Sequence, residues 1–155
     1  MATLAAARTL LRNTIQDRLT QWWHKEAPTQ YTDLGIRFGR GAPPELKLPR
    51  RILGYLLQCR SGHGDFAAYH RRFNHPFADV LCECGQEKSV VHFAFCRSAR
   101  LRARPARLRP LGSIFAVLGS PKGAKQFQRF IEATEFLLPP HQRSGAPSVP
   151  PSLTP

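Results

Sequence analysis

The chain is short of acidic side chains and has no long run of apolar residues. Because no stretch approaches the about 18 apolar residues of a membrane-spanning helix, we expect no membrane partner. No uncharged apolar run of the length of a secretory signal follows Met1, so we expect an intracellular protein of the nucleus or cytoplasm. A mitochondrial destination is the lesser alternative, since the acid-free segment before Asp17 resembles a transit peptide but also an ordinary amphipathic helix.

The scarcity of acids leaves a large excess of positive charge. The 155 residues include 23 Lys and Arg against 10 Asp and Glu, which gives a formal net charge of +13. This balance predicts a polyanionic partner, and nucleic acid (RNA or single-stranded DNA) is the leading candidate. The excess comes mainly from arginine, whose planar fork pairs with phosphate through two hydrogen bonds. The alternative is a basic surface inherited from a larger protein, since net charge bears on association rather than on fold.

The densest charge lies between residues 97 and 109, where no acid occurs. Pro105 and Pro110 interrupt any long helix there, so a solvated connector is one interpretation of the segment. The other interpretation, which we prefer, is a strip of phosphate-contacting side chains made of Arg97, Arg100, Arg102, Arg104, Arg107 and Arg109.

Cysteine is also scarce, but three of the four cysteines fall between residues 82 and 96, together with a histidine. The spacing C-x-C-x7-H-x3-C, with a glycine after the second cysteine, predicts a structural Zn²⁺ site formed by Cys82, Cys84, His92 and Cys96. On an extended segment the first two sulfurs face the same side, and on a helix the last two ligands stack one turn apart. The alternatives are reduced cysteines with Cys96 simply buried, or two disulfides, which the histidine and the missing secretory signal argue against. Cys59 lies outside the spacing and is expected to be a small buried residue.

The hydrophobic periodicity predicts a mainly α fold: a small helical domain with a short zinc-binding β-hairpin and a disordered C-terminal tail. The expected organisation is an N-terminal amphipathic helix at 1–30, a linker at 31–48, a zinc-knuckle-containing module at 49–104, a helical extension at 105–138 and the tail at 139–155. Within these parts, helices are predicted after Pro49, after a capping Asp65, at 89–101, at 112–118 and at 122–138.

Several aromatic side chains have two possible roles. Trp22 and Trp23 fall at helical spacing, so we expect them to cover the core of the zinc module rather than to stack on bases. Phe73, Phe77 and Phe93 would be available for base stacking if they are exposed.

A series of motifs runs through the middle of the chain: Arg60-Ser61-Gly62-His63-Gly64, Tyr69, Arg72-Phe73, Cys82-x-Cys84-Gly85 and His92-x-x-x-Cys96. In this order they resemble the C-terminal tail of fungal non-LTR, LINE-type retrotransposon polyproteins. In that family the tail follows the reverse transcriptase and ends in a CCHC zinc knuckle. The resemblance covers roughly residues 46–100.

The resemblance implies nucleic-acid binding that assists target-primed reverse transcription, with the three cysteines and His92 as metal ligands. It suggests a structural or RNA-contacting role for the turn around His63. It does not imply catalysis, because a polymerase needs two adjacent aspartates and Phe77-Ala78-Asp79-Val80 has one. We therefore expect that this protein is not an enzyme. The alternative function is a protein-protein interaction module of a domesticated or truncated retroelement fragment, with a protein partner at the zinc hairpin and the tryptophan helix.

Overall fold

The molecule is mainly helical, as its periodicity predicts, and its computed structural model describes residues 3–39, 41–104, 106 and 112–138. The helices are α1 (Leu4–Glu26), α2 (Thr29–Asp33), α3 (Arg50–Ser61), α4 (Ala67–Arg72), α5 (His92–Phe95), α6 (Arg97–Ala103), α7 (Ile114–Gly119) and α8 (Pro121–Thr134). A 3-10 helix at Pro44–Lys47 precedes α3. Within the described ranges no helix is both long and apolar enough to cross a bilayer. The expected disordered tail, residues 139–155, lies outside the described residues.

Helix α8 lies at the centre of the core. Ser120 starts it, because its Oγ accepts a hydrogen bond from the Gly123 N–H at 3.0 Å and Pro121 follows as the first helical residue. The apolar face of α8 packs against α3, α6 and α7. The core therefore joins the helices of the cysteine motif to the C-terminal helices through Ile52, Leu56, Phe93, Ala99, Val117, Leu118, Phe127, Phe130 and Ile131.

Two glycines allow α7 and α8 to pack at a tight corner. A Cβ atom on Gly123 would collide with the carbonyl oxygen of Ala116, and one on Gly119 would collide with that of Leu34. Since backbone atoms cannot move aside as a flexible side chain can, no larger residue fits at either position.

Helix α1 lies outside this core, and none of its residues is buried. Trp23 anchors its C-terminal end: the indole Nε1 donates to the carbonyl oxygen of Ile36 at 3.1 Å, and the ring packs against Tyr31 and Phe38. Trp22 is 55% exposed. The expectation that both tryptophans cover the core of the zinc module is therefore wrong, because helical spacing shows which residues share a face but not what lies opposite.

Two predicted helices are interrupted within their apolar patterns. The helix predicted at 89–101 is broken at Cys96, whose extended backbone (ψ 126°) separates α5 from α6. The helix predicted at 122–138 ends at Thr134, because Glu135 adopts a left-handed conformation with φ of 49°. In both cases the apolar side chains beyond the break still reach the core, so the pattern continues although the helix does not.

A buried ion pair joins α3 to the 3-10 helix. Arg60 donates from Nη1 to Glu45 Oε1 at 2.7 Å and from Nε to the Leu118 carbonyl oxygen at 2.7 Å. The two charged side chains are only 6% and 11% exposed. Burial raises the pKa of Glu45, but a backbone hydrogen bond and the Arg60 guanidinium outweigh it, so the pKa lies below its ordinary value.

We expect Glu45→Ala to lower the free energy of unfolding by about 3 kcal/mol at neutral pH, because it leaves the buried Arg60 charge without a counter-ion. Since folding lowers the pKa of Glu45, the pair stabilises the fold above the carboxyl's ordinary pKa, and this stability is lost as pH falls through the folded value. The stability of the Glu45→Ala variant should therefore fall less than that of the wild type as the pH is lowered. Urea denaturation at several pH values measures both effects. Glu26→Ala, which removes an exposed partner of Lys25, is the control and should change little.

Candidate metal centre

A tight turn presents the first two cysteines. Inside it, the Cys82 N–H donates to the Gln86 carbonyl and the Gly85 N–H donates to the Cys82 carbonyl, both at 2.8 Å. Gly85 has a φ of 82°, a left-handed conformation that glycine adopts without strain. The sequence therefore folds here because a glycine stands where the turn requires one.

The predicted zinc-binding β-hairpin is not formed. Leu81 and Glu87 make a single antiparallel bridge, and the described part of the chain contains no strand. The strand pairing does not extend beyond this bridge. The Lys88 carbonyl oxygen accepts a hydrogen bond from the Ala67 N–H of α4 at 2.9 Å and not from the facing segment of the turn. The two cysteines thus lie in a turn closed by one bridge.

The second pair of candidate ligands lies at either end of α5. Ser89 closes the turn that leads into this one-turn helix, since its Oγ accepts a hydrogen bond from the His92 N–H at 3.0 Å. Cys96 follows the helix in an extended conformation and is 1% exposed. The two residues therefore approach each other across a bend and not along one continuous helix.

These segments bring the four predicted ligands together. The three Sγ atoms and a His92 ring nitrogen all lie within 4.8 Å of one another, so the group could hold a metal ion. The Cys82 and Cys96 sulfurs are 3.6 Å apart, and Cys84 Sγ lies 3.3 Å from His92 Nε2. Cys59 is completely buried elsewhere in the core, as expected, and burial raises its pKa to about 12.

The protonation of the cluster depends on its partial burial. Burial raises the pKa of Cys82 to about 11 and lowers the pKa of His92. Burial also raises the pKa of Cys84. Hydrogen bonds from the Gln86 backbone and the neighbouring thiols outweigh this effect, so the pKa of Cys84 lies below its ordinary value. A neutral imidazole is already suited to a cation, whereas the Cys82 thiol must lose its proton on binding.

Contacts from α4 and the turn before it hold the cysteine turn in place. Arg71 makes two hydrogen bonds to the Glu87 carboxylate, at 2.9 and 2.5 Å. Lys88 Nζ donates to Asp65 at 2.9 Å and to the Asp79 carbonyl oxygen at 2.6 Å. Asp65 therefore does not cap α4 with its side chain, as its position suggested, because Lys88 and His70 take its carboxylate.

The other side of the cluster is covered by residues that the sequence did not identify. The Phe136 ring lies 6.2 Å from the His92 ring, and the Arg102 guanidinium lies 5.9 Å above Phe136. Arg102 also donates to Glu83, between the two cysteines of the turn, at 3.0 Å. Phe136 lies within the helix predicted at 122–138, and nothing in the apolar pattern of that segment reveals that this residue returns to the metal motif.

The predicted arginine strip divides into different environments. Arg97, Arg100 and Arg104 are exposed on or at the end of α6, and none pairs with a carboxylate of the described residues. Arg102 is instead fixed by Glu83 and Phe136. Two further members of the strip, Arg107 and Arg109, lie outside the described residues.

The aromatic side chains proposed for stacking also differ in exposure. Phe73 is 47% exposed and Phe77 is fully exposed, whereas Phe93 is 1% exposed and packs on Phe127 in the core. Phe95, which the sequence did not single out, is 53% exposed with the Arg100 guanidinium above its ring. The His63 ring packs against Tyr69, a structural contact.

Comparison of the chain with protein-family models, with curated proteins and with solved structures finds no match in any of the three. The resemblance to retrotransposon polyproteins therefore stays a hypothesis drawn from the order of motifs.

Proposed function

We propose that this protein is a zinc-stabilised module that binds nucleic acid, RNA or single-stranded DNA, and has no catalytic activity of its own. The main support for this proposal is that the ligand cluster is directly followed by the most basic helix. Cys96, a candidate ligand, directly precedes α6, and the exposed Arg97, Arg100 and Arg104 lie on this helix or at its end. A metal bound by Cys96 would hold this basic surface in one orientation.

Two separations between ligand atoms of the cluster are close to those expected around zinc. Two thiolates on one tetrahedral Zn²⁺ are about 3.8 Å apart, and a thiolate and an imidazole nitrogen are about 3.6 Å apart. The corresponding separations in the cluster are 3.6 Å between Cys82 and Cys96 and 3.3 Å between Cys84 and His92. Four protein ligands leave no position for a reacting water, which supports a structural ion. The guanidinium of Arg102, held beside the cysteine turn by Glu83, would offset the negative charge of three thiolates.

We further propose that the chain is related to the C-terminal tail of a non-LTR retrotransposon polyprotein. Support comes from the order of the glycine-histidine turn, the aromatic helix and the Cys3His motif along residues 46–100. In such a protein this module would grip RNA or the nicked target while a separate domain performs reverse transcription.

We expect the affinity for a single-stranded oligonucleotide to fall steeply as salt is raised. Each arginine-phosphate contact to a single strand contributes about −0.7 to the slope of log K against log salt, so three contacts give a slope of about −2 or steeper. Fluorescence anisotropy with a labelled oligonucleotide of each kind, at increasing potassium chloride, measures the slope. Peptide nucleic acid of the same base sequence, which carries no phosphate, is the control and should bind weakly at every salt concentration. Salt-independent binding would contradict the electrostatic part of the proposal.

A further inference from the structure

An exposed phenylalanine lies beside the last candidate metal ligand and the arginines of α6. Phe95 is the last residue of α5 and is 53% exposed, whereas Phe93 is 1% exposed. Residues two apart on a helix point to nearly opposite sides, so Phe93 enters the core and Phe95 faces solvent. The residues on either side of Phe95, Ala94 and Cys96, are 2% and 1% exposed. The ring is therefore presented to solvent by a segment whose backbone is fixed in the core.

The Phe95 ring is paired with one of the three arginines proposed to contact phosphate. The guanidinium carbon of Arg100 lies 5.9 Å from the ring centroid, a distance typical of a cation–π contact. Such a contact uses no acceptor oxygen, so the N–H donors of Arg100 remain available to a phosphate. Arg100 follows Arg97 by three residues and precedes Arg104 by four, so the three lie on the same side of α6. The exposed ring therefore adjoins a row of exposed cations.

The charge of these arginines alone would not favour a single strand over a duplex. Double-stranded DNA carries about one phosphate per 1.7 Å of its axis, a higher charge density than that of a single strand, so phosphate contacts alone are at least as strong on a duplex. An exposed aromatic ring acts differently, because it stacks on a base that is not already stacked within a double helix. A surface with both features is therefore complementary to a single strand, which offers phosphates and free base faces together.

We propose that Phe95 stacks on an unpaired base of a single-stranded nucleic acid while the arginines of α6 contact the phosphates of the same strand. This inference rests on the proposed nucleic-acid binding and adds to it the residue that selects single strands over duplexes. Stacking accepts every base, so the site should show little preference for base sequence. Because Cys96 is a candidate ligand, a bound metal ion would also fix the backbone that carries Phe95.

The first test needs no variant and compares three labelled probes by fluorescence anisotropy with the full wild-type chain. The probes are a single-stranded DNA oligonucleotide, a sugar-phosphate strand of the same length without bases, and the duplex of the oligonucleotide. The base-free strand has the same charge but nothing to stack, so we expect it to bind about tenfold more weakly than the normal strand. The duplex should also bind more weakly. If the base-free strand or the duplex binds at least as tightly as the single strand, the proposal is overturned.

The second test replaces the ring itself. Phe95→Ala should bind the normal strand about tenfold more weakly than wild type but the base-free strand equally well, with an unchanged salt slope because no phosphate contact is lost. Phe95→Trp, which offers a larger ring, should keep the wild-type affinity. Phe115→Ala is the matched control, since it removes a ring of α7 that is 54% exposed, and it should leave all affinities unchanged. Native mass spectrometry should find the same metal content in every variant.

The stacking inference and the proposed function fail in different ways. If the wild-type chain binds no oligonucleotide, nucleic-acid binding is overturned and the stacking with it. Salt-dependent binding to which Phe95→Ala and Phe115→Ala make no different contribution overturns the stacking alone. The same holds if Phe95→Ala weakens the normal and the base-free strand equally, or if it loses the metal ion, because either result would assign the ring a structural role.

Discussion

Replacing Cys96 by serine should abolish metal binding and unfold the module around it. Cys96 is 1% exposed and links the cluster to α6, so its loss removes a ligand and leaves a hydroxyl in the core. Structural zinc contributes about 10–16 kcal/mol of binding free energy at neutral pH, which matches or exceeds the about 5–15 kcal/mol stability of a typical domain. Native mass spectrometry should find one ion per wild-type chain and none in the variant. Circular dichroism should show lost helix in the variant and in wild type treated with a chelator.

Cys59→Ala is the matched control, since it removes an equally buried thiol that lies outside the cluster. It should keep one metal ion per chain and lose only about 1 kcal/mol of stability, the typical cost of a small cavity. If Cys96→Ser and Cys59→Ala have the same melting curve and the same number of bound metal ions, the four side chains do not form a structural metal centre.

Reversing the charge of Arg97, Arg100 and Arg104 to glutamate should weaken binding of single-stranded oligonucleotides about a hundredfold or more. Charge-assisted hydrogen bonds contribute about 1.5–3 kcal/mol each, and each lost phosphate contact also reduces the salt slope by about 0.7. All three side chains are exposed, so the fold should survive. Arg102 is left unchanged, because a glutamate there would face Glu83 and would disturb the cluster itself. Anisotropy titrations at several salt concentrations measure both quantities.

The control variant replaces three other exposed arginines by glutamate: Arg50, Arg51 and Arg129. These residues are far from α6 in sequence, and the net charge changes by the same amount. The control variant should lower affinity by much less, since it changes only the overall charge and not the proposed contact surface. If the two triple variants lose affinity equally, the basic charge acts as a whole and the α6 surface has no special role. Metal content by mass spectrometry should be the same in both variants.

The ligand set could be identified from sequence because its signal is local. A glycine directly after the second cysteine predicts a turn, and Gly85 has the left-handed backbone that such a turn needs. The spacing of His92 and Cys96 indicated that they share a side, which remains true although the helix breaks between α5 and α6. The break itself could not be predicted, because the apolar residues on both sides keep a helical period.

The surroundings of the cluster could not be predicted, because they depend on contacts between residues far apart in the chain. Phe136 reaches His92 across more than 40 residues, and Lys88 reaches Asp65 across 23. Neither belongs to the spacing of the metal motif. Each was brought there by the packing of α8 and α4 against the rest of the fold.

The sequence by itself determined the chemistry: which side chains could bind a soft cation, how basic the chain is and that its elements are helices. These properties follow from residue type and from spacing within one or two turns. Only the tertiary structure decided which of those residues are free to act. It buried Phe93 and exposed Phe95, tied Arg102 to Glu83 while leaving Arg97 and Arg104 without a carboxylate partner in the described chain, and left α1 uncovered. The physical reason is that burial and pairing depend on which distant surfaces meet, and that is set by how the whole core packs.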